Sequence, residues 1–145
     1  MTTTVRILSM LSLGLALTGC GKDSPTTPSP AQPVATNGIT VISPNGGESF
    51  KVGGSIRVSW SSTNNALSSA RLMLSCDNTN WADLTKSSVD KAAGDTTLTV
   101  PDSVYSSSLR KNIAFPTSSA CKVKVQDYVV QSNWDLSDAA FTVTP

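Results

Sequence analysis

Residues 39–145 are predicted to fold as an all-β sandwich of about seven strands, and three observations predict it. Short β-branched runs alternate apolar and polar residues, turn-forming clusters separate them, and no stretch repeats with a helical period. The segment also has the size of an ordinary single domain.

Ile39–Ser43 is the first run, closed by the turn signal Pro44-Asn45-Gly46-Gly47. Ser55–Trp60 then places Ile56, Val58 and Trp60 on one face and Arg57 and Ser59 on the other. Arg71–Cys76 puts Leu72, Leu74 and Cys76 on a common face. Trp81–Thr85 follows the turn Asp77-Asn78-Thr79-Asn80, and Thr96–Val100 stops at Pro101. Cys121–Val125 turns Cys121, Val123 and Val125 inward and Lys122 and Lys124 outward, and Phe141–Val143 closes the series. The 102–120 connection is the longest stretch without a predicted strand, and long loops on rigid scaffolds tend to carry contacts.

Ahead of this domain the chain reads as two further segments. Residues 1–19 have the form of a lipoprotein signal peptide: one cation, Arg6, then an apolar run over 7–17. That run is shorter than the roughly twenty residues a membrane-spanning helix needs. It ends at Leu17-Thr18-Gly19-Cys20, which resembles a bacterial lipobox, with Cys20 as the acylated residue. Two other readings stay open at this point, a cleaved signal without lipid and a buried N-terminal helix with an incidental cysteine. Gly21, rather than Asp, follows the cysteine; by the rule of that resemblance this favours the outer membrane in a double-membraned host. Residues 20–38 hold four prolines, several Ser and Thr and no aromatic residue, the composition of a linker without a core. At ~3.1 Å per residue in polyproline II, such a linker reaches ~50 Å from its lipid.

Removing residues 1–19 takes away Arg6 alone, leaving ten Lys and Arg against ten Asp and Glu. A neutral mature chain offers no electrostatic attraction to nucleic acid or to an anionic surface. Of three cysteines, Cys20 is assigned to lipid, which leaves Cys76 and Cys121. In an exported protein such a pair is usually a disulfide, with two free buried thiols as the alternative. If the strands that carry them pair antiparallel, the two cysteines lie side by side.

The stretch 39–60, ITVISPNGGESFKVGGSIRVSW, resembles the opening of the Ig-like domain shared by the Ser-Thr-rich GPI-anchored membrane protein family and the yeast cell-wall synthesis protein family. Pro44, Gly46-Gly47, Glu48, Phe50, Gly53, Val58 and Trp60 carry it. Later pieces follow in order: Leu74-Ser75-Cys76-Asp77 leading to Trp81, Leu98-Thr99-Val100-Pro101, Val123-Lys124-Val125 and Phe141-Thr142-Val143. Two features depart from the family. The turn after Asp77 lacks its usual glycines, and the connection from Pro101 to Cys121 is long. The resemblance implies an immunoglobulin/fibronectin-like sandwich outside the cytoplasm, with no catalytic residues to carry over.

Chemistry is constrained first by composition. The chain contains no histidine, which excludes Ser-His-Asp and Cys-His arrangements and His-ligated zinc. Ser88–Lys91 and Ser119–Lys122 have a Ser-x-x-Lys spacing that serine-rich sequence produces by chance. Glu48 sits in the turn motif and the aspartates are scattered, which does not make a glycosidase pair. Asp77, Asp127, Asp135 and Asp138 lack a calcium-loop pattern and read as solvated loop residues. No cofactor, metal or catalytic site is therefore expected. Trp60 reads as core, whereas Trp81, Tyr105, Phe115, Tyr128 and Trp134 fall in or near loops. Those aromatics either plug the ends of the sandwich or stack on sugar rings, and Tyr105, Phe115, Tyr128 and Trp134 are the candidate ligand-binding residues. The expected function is a non-catalytic, membrane-anchored module of the cell envelope. Its partner would be an envelope polysaccharide or another surface protein. A carbohydrate-binding module is the alternative, and an envelope hydrolase a distant third.

Overall fold

The computed structural model describes residues 38–63, 67, 69–90 and 94–145. The signal segment, Cys20, the linker as far as residue 37 and Lys91 lie outside the described residues. Within them the chain is all-β. In order, β1 is Ile39–Ser43, β2 Ser49–Lys51, β3 Ser55–Ser62, β4 Ser69–Ser75, β5 Ala82–Asp83 and β6 Val89–Asp90. Then come β7 Asp95–Thr99, β8 Ser103–Ser106, β9 Lys111–Ala114, β10 Ser118–Asp127, β11 Trp134–Leu136 and β12 Phe141–Thr144.

These strands build two main sheets. The smaller runs β1-β3-β7, antiparallel throughout. The larger runs β2-β12-β10-β4-β5, with β11 also on β10 and β6 also on β4. The first strand of the domain serves both sheets: it leaves β3 at the Pro44–Gly47 turn and joins β12 in parallel as β2. Phe50 then meets Phe141 edge-on, with ring centroids 5.5 Å apart.

Alternation explains the packing. Ile39, Val41, Ile56, Val58 and Trp60 from the smaller sheet form one buried cluster with Leu72, Leu74, Val123, Val125, Phe141 and Val143 from the larger. Each strand therefore presents every second side chain to a shared interior, as facing sheets require. Trp60 is core, as its spacing predicts, but no acceptor among the described residues reaches its Nε1–H.

The predicted disulfide is present between Cys76 and Cys121, 45 residues apart. Lys122 pairs with Ser75 in the antiparallel β4–β10 ladder, so the next pair along is Cys121 with Cys76. The bond therefore links neighbouring strands of one sheet. Ser118 braces it, donating from Oγ to the Cys76 carbonyl at 2.9 Å.

All seven expected strands are found, and five more accompany them. β2, β6 and β11 are two or three residues long, too short to show a period in sequence. β8 and β9 correct the reading of 102–120 as an open connection: they pair from Ser103–Ala114 to Ser106–Lys111 as a hairpin. Val104 and Phe115 from that segment enter the core.

Candidate functional site

The outer face of the larger sheet is where side chains unused by the core gather. Since Leu72, Leu74, Val123 and Val125 point inward, Arg71 and Met73 on β4 and Lys122, Lys124 and Gln126 on β10 point outward. The ladder sets Met73 opposite Lys124 and Asp83, and Arg71 opposite Gln126. On the far side of β10, Leu136 pairs with Lys124 and Trp134 with Gln126. Met73 is only 7% exposed although it lies outside the core cluster.

Lys124 is the centre of this face. Its Nζ lies 4.5 Å from the centroid of the Trp81 ring and 5.3 Å from that of Trp134. Both distances are within cation–π range, so one ammonium links indoles from opposite edges of the face. Burial pushes the Lys124 pKa below its ordinary value, and the charge of Arg71 pushes it the same way. Arg71 forms a fork with Asp83, its Nε donating to Oδ1 at 2.7 Å and a terminal nitrogen donating to Oδ2 at 2.6 Å. The Asp83 hydrogen bond raises the Arg71 pKa, partly opposed by burial. Beside this fork a shallow depression is lined by Arg71, Asp83, Lys86, Asp127, Tyr128 and Gln131.

The four candidate aromatics separate. Tyr128 and Trp134 stand on the β10–β11 hairpin, 55% and 36% exposed. Tyr105 is exposed on β8, opposite Asn112 in a different hairpin. Phe115 is 5% exposed and belongs to the core, so its ring plugs the sandwich and is withdrawn from any surface. Trp81 joins Trp134 through Lys124, a grouping that sequence reading missed. Only part of its signal lies in the sequence: Lys124 alternates outward on its strand, but the pairing of β11 with β10 and of β5, which follows Trp81, with β4 is what brings both tryptophans to its face.

The aspartates need correction. Asp127 and Asp135 are 2% and 4% exposed rather than solvated. Asp127 Oδ1 accepts from the amides of Val129 and Val130, both at 2.7 Å, and fixes the hairpin turn. Asp135 Oδ2 accepts from the Val41 amide at 2.8 Å and ties β11 to β1. Asp138 exchanges hydrogen bonds with Asn45, and Asp77 caps the turn that follows it. Among the described residues no three His, Cys, Asp or Glu side chains are grouped to hold a metal ion. The Ser119–Lys122 spacing does not form a dyad either: the Lys122 ammonium donates to the carbonyls of Ser137 and Asp138 at 2.6 and 2.7 Å. Lys91, of the other Ser-x-x-Lys spacing, lies outside the described residues.

Glu48, read as part of a turn motif, is the keystone of that turn. Its carboxylate accepts from the Asn45 amide at 2.8 Å and the Gly46 amide at 2.7 Å. Together these residues define a class: an all-β, disulfide-closed sandwich with one aromatic and cationic outer face. Compared with known proteins, the chain matches no family model, no curated protein and no solved structure.

Proposed function

We propose that this chain is an extracytoplasmic lipoprotein, held to a membrane through Cys20, whose Ig-like sandwich is a non-catalytic binding or structural module of the cell envelope. The observation that carries the reading is the division of the cysteines. Cys76 and Cys121 are consumed by a structural disulfide, which persists in oxidising compartments. Cys20 is then the remaining thiol, placed at the end of an apolar run in the order Leu17-Thr18-Gly19-Cys20.

The strand order supports the Ig-like part. Opposite β1-β3-β7 stands a sheet whose centre is β12-β10-β4, and in immunoglobulin domains a comparable C, F and G sheet faces the A, B and E strands. Two features depart from antibody domains. The disulfide stays inside one sheet, and the core tryptophan, Trp60, lies on β3 rather than on β4.

The anchor is tested by cell fractionation. The native chain is expected in the membrane fraction and a Cys20→Ser variant in the soluble envelope fraction; a membrane-bound variant would refute the anchor.

A carbohydrate-binding module is the second reading, favoured by Trp81, Tyr128 and Trp134 on or beside one exposed face. Lys124 already lies over both indoles, so a sugar must displace it or use the opposite ring faces. Glycan-array binding that disappears in Trp134→Ala or Tyr128→Ala would support this reading, and an empty array would remove it.

A further inference from the structure

We infer that the β10–β11 hairpin tip, Tyr128-Val129-Val130, inserts into the interface of the lipid bilayer to which the chain is anchored. This rests on the lipoprotein reading above and adds a second, non-covalent contact to it. Tyr128, Val129 and Val130 are consecutive and 55%, 72% and 48% exposed. A run of three exposed apolar residues is a liability in a soluble domain unless it has a use.

The tip is built to project these side chains. The Asp127 carboxylate holds the amides of Val129 and Val130, the Asp127 amide donates to the Asn133 carbonyl, and the Asn133 amide donates to Val130. With the turn's backbone donors satisfied internally, its side chains need not fold back to cover them. Tyr128 is further fixed by its amide, which donates to the Ser69 carbonyl at 2.8 Å. An exposed tyrosine beside apolar residues is the side-chain type found at membrane–water interfaces.

The choice of a lipid partner comes from where the chain leaves the domain. Gly38 is held by Thr63, whose amide donates to the Gly38 carbonyl at 2.7 Å, just beyond the Ile39–Ser62 pair. That is the end at which β3 finishes and β4 begins, and Ser69 at the start of β4 binds Tyr128. The tip and the path back to Cys20 thus leave the sandwich from the same end. Seventeen residues, 21–37, separate Cys20 from Gly38, so the end that carries the tip is the end joined to the lipid. Charges beside Tyr128 come in both signs, Arg71 and Lys86 with Asp83 and Asp127; a contact made by the apolar tip should therefore be insensitive to salt.

The test uses the full acylated chain, reconstituted into phosphatidylcholine vesicles with or without bromine on the upper acyl chains. Tryptophan probes are placed by Val129→Trp and Val130→Trp at the tip and by Thr79→Trp at the opposite end, each read against the parent chain. Interfacial apolar groups sit ~5–10 Å into the headgroup and acyl boundary, so bromine should quench the tip probes by about half. The Thr79→Trp probe should keep its emission, and 0.5 M salt should change neither. Tip probes that remain unquenched in an acylated, folded chain overturn the inference, leave the anchor standing and point to a protein partner. Intact mass separates the other failure: a Cys20 without acyl groups sinks the anchor and this inference together.

Discussion

At the end of the sandwich where β12 begins, four segments are bound to one another. Glu48 caps the Asn45–Gly46 turn, Asn45 exchanges hydrogen bonds with Asp138, and Cys76 is bonded to Cys121. At the opposite end, where β3 passes to β4, the hairpin tip offers Val129 and Val130 to solvent. The first end resists change because its groups satisfy one another. The second leaves much of the apolar surface of Val129 and Val130 exposed, which is the surface we propose for an external contact. On that proposal, stability and contact belong to different ends of the same β-strands.

Substitutions should reveal this division, with large effects at the closed end and small ones at the tip. Replacing both Cys76 and Cys121 with Ala removes a 45-residue crosslink. It should lower unfolding free energy by about 4 kcal/mol in the chain-entropy model, measured by denaturant titration. Gly46→Ala comes next. Gly46 has φ +133°, and an added Cβ would lie 2.4 Å from Ala139 Cβ. Strain and overpacking together should cost about 3 kcal/mol, read as a lower denaturant midpoint with unchanged slope. Glu48→Ala, which strips two charge-assisted hydrogen bonds from the same turn, should cost about 1.5 kcal/mol. Val129→Asp at the other end should change stability by less than about 0.5 kcal/mol in the same titration. If it destabilised as much as Gly46→Ala, the division between the ends would be wrong.

A pH measurement sharpens the account of the closed end. Burial alone would push the Asp77 carboxyl up, but hydrogen bonds from Asn80, Thr79 and Ser75 outweigh it and hold the pKa below its ordinary value. A carboxyl depressed by folding contributes stability above its unfolded value of ~3.9, and that contribution disappears as pH falls through the folded value. The stability advantage of the native chain over Asp77→Asn should therefore be full near neutrality. It should begin to shrink near pH ~4 and vanish in stronger acid. A small effect is also expected at the exposed ion pair of Arg57 with Asp95, where Asp95→Asn should cost under about 1 kcal/mol and less in high salt.

What could be read from sequence followed the period of each element. Ser55–Trp60 and Cys121–Val125 alternate over five or six residues, and both place the predicted side chains inward. The disulfide was legible because Cys76 and Cys121 lie on the apolar faces of the runs Arg71–Cys76 and Cys121–Val125. β6 and β11 were hidden because two or three residues carry no period, and β8–β9 because its polar serines resemble a loop. Asp127 and Asp135 misled for a different reason. A buried carboxylate that accepts backbone amides is written with the same letter as a solvated one, and only the amides of Val129, Val130 and Val41 tell them apart. On the outer face, Tyr128 and Trp134 were singled out from sequence, whereas the meeting of Trp81 and Trp134 over Lys124 needed the register of three strands.

We propose a disulfide-closed domain suspended from a lipid-bearing Cys20. Intact mass spectrometry of the full-length protein, expressed in a bacterium with its own leader and extracted from membranes without reductant, tests it most directly. The account predicts a chain that begins at residue 20, carries a diacylglyceryl group, and is two hydrogens lighter than the dithiol form. A chain that retains residues 1–19, or one with an unmodified Cys20, would contradict it.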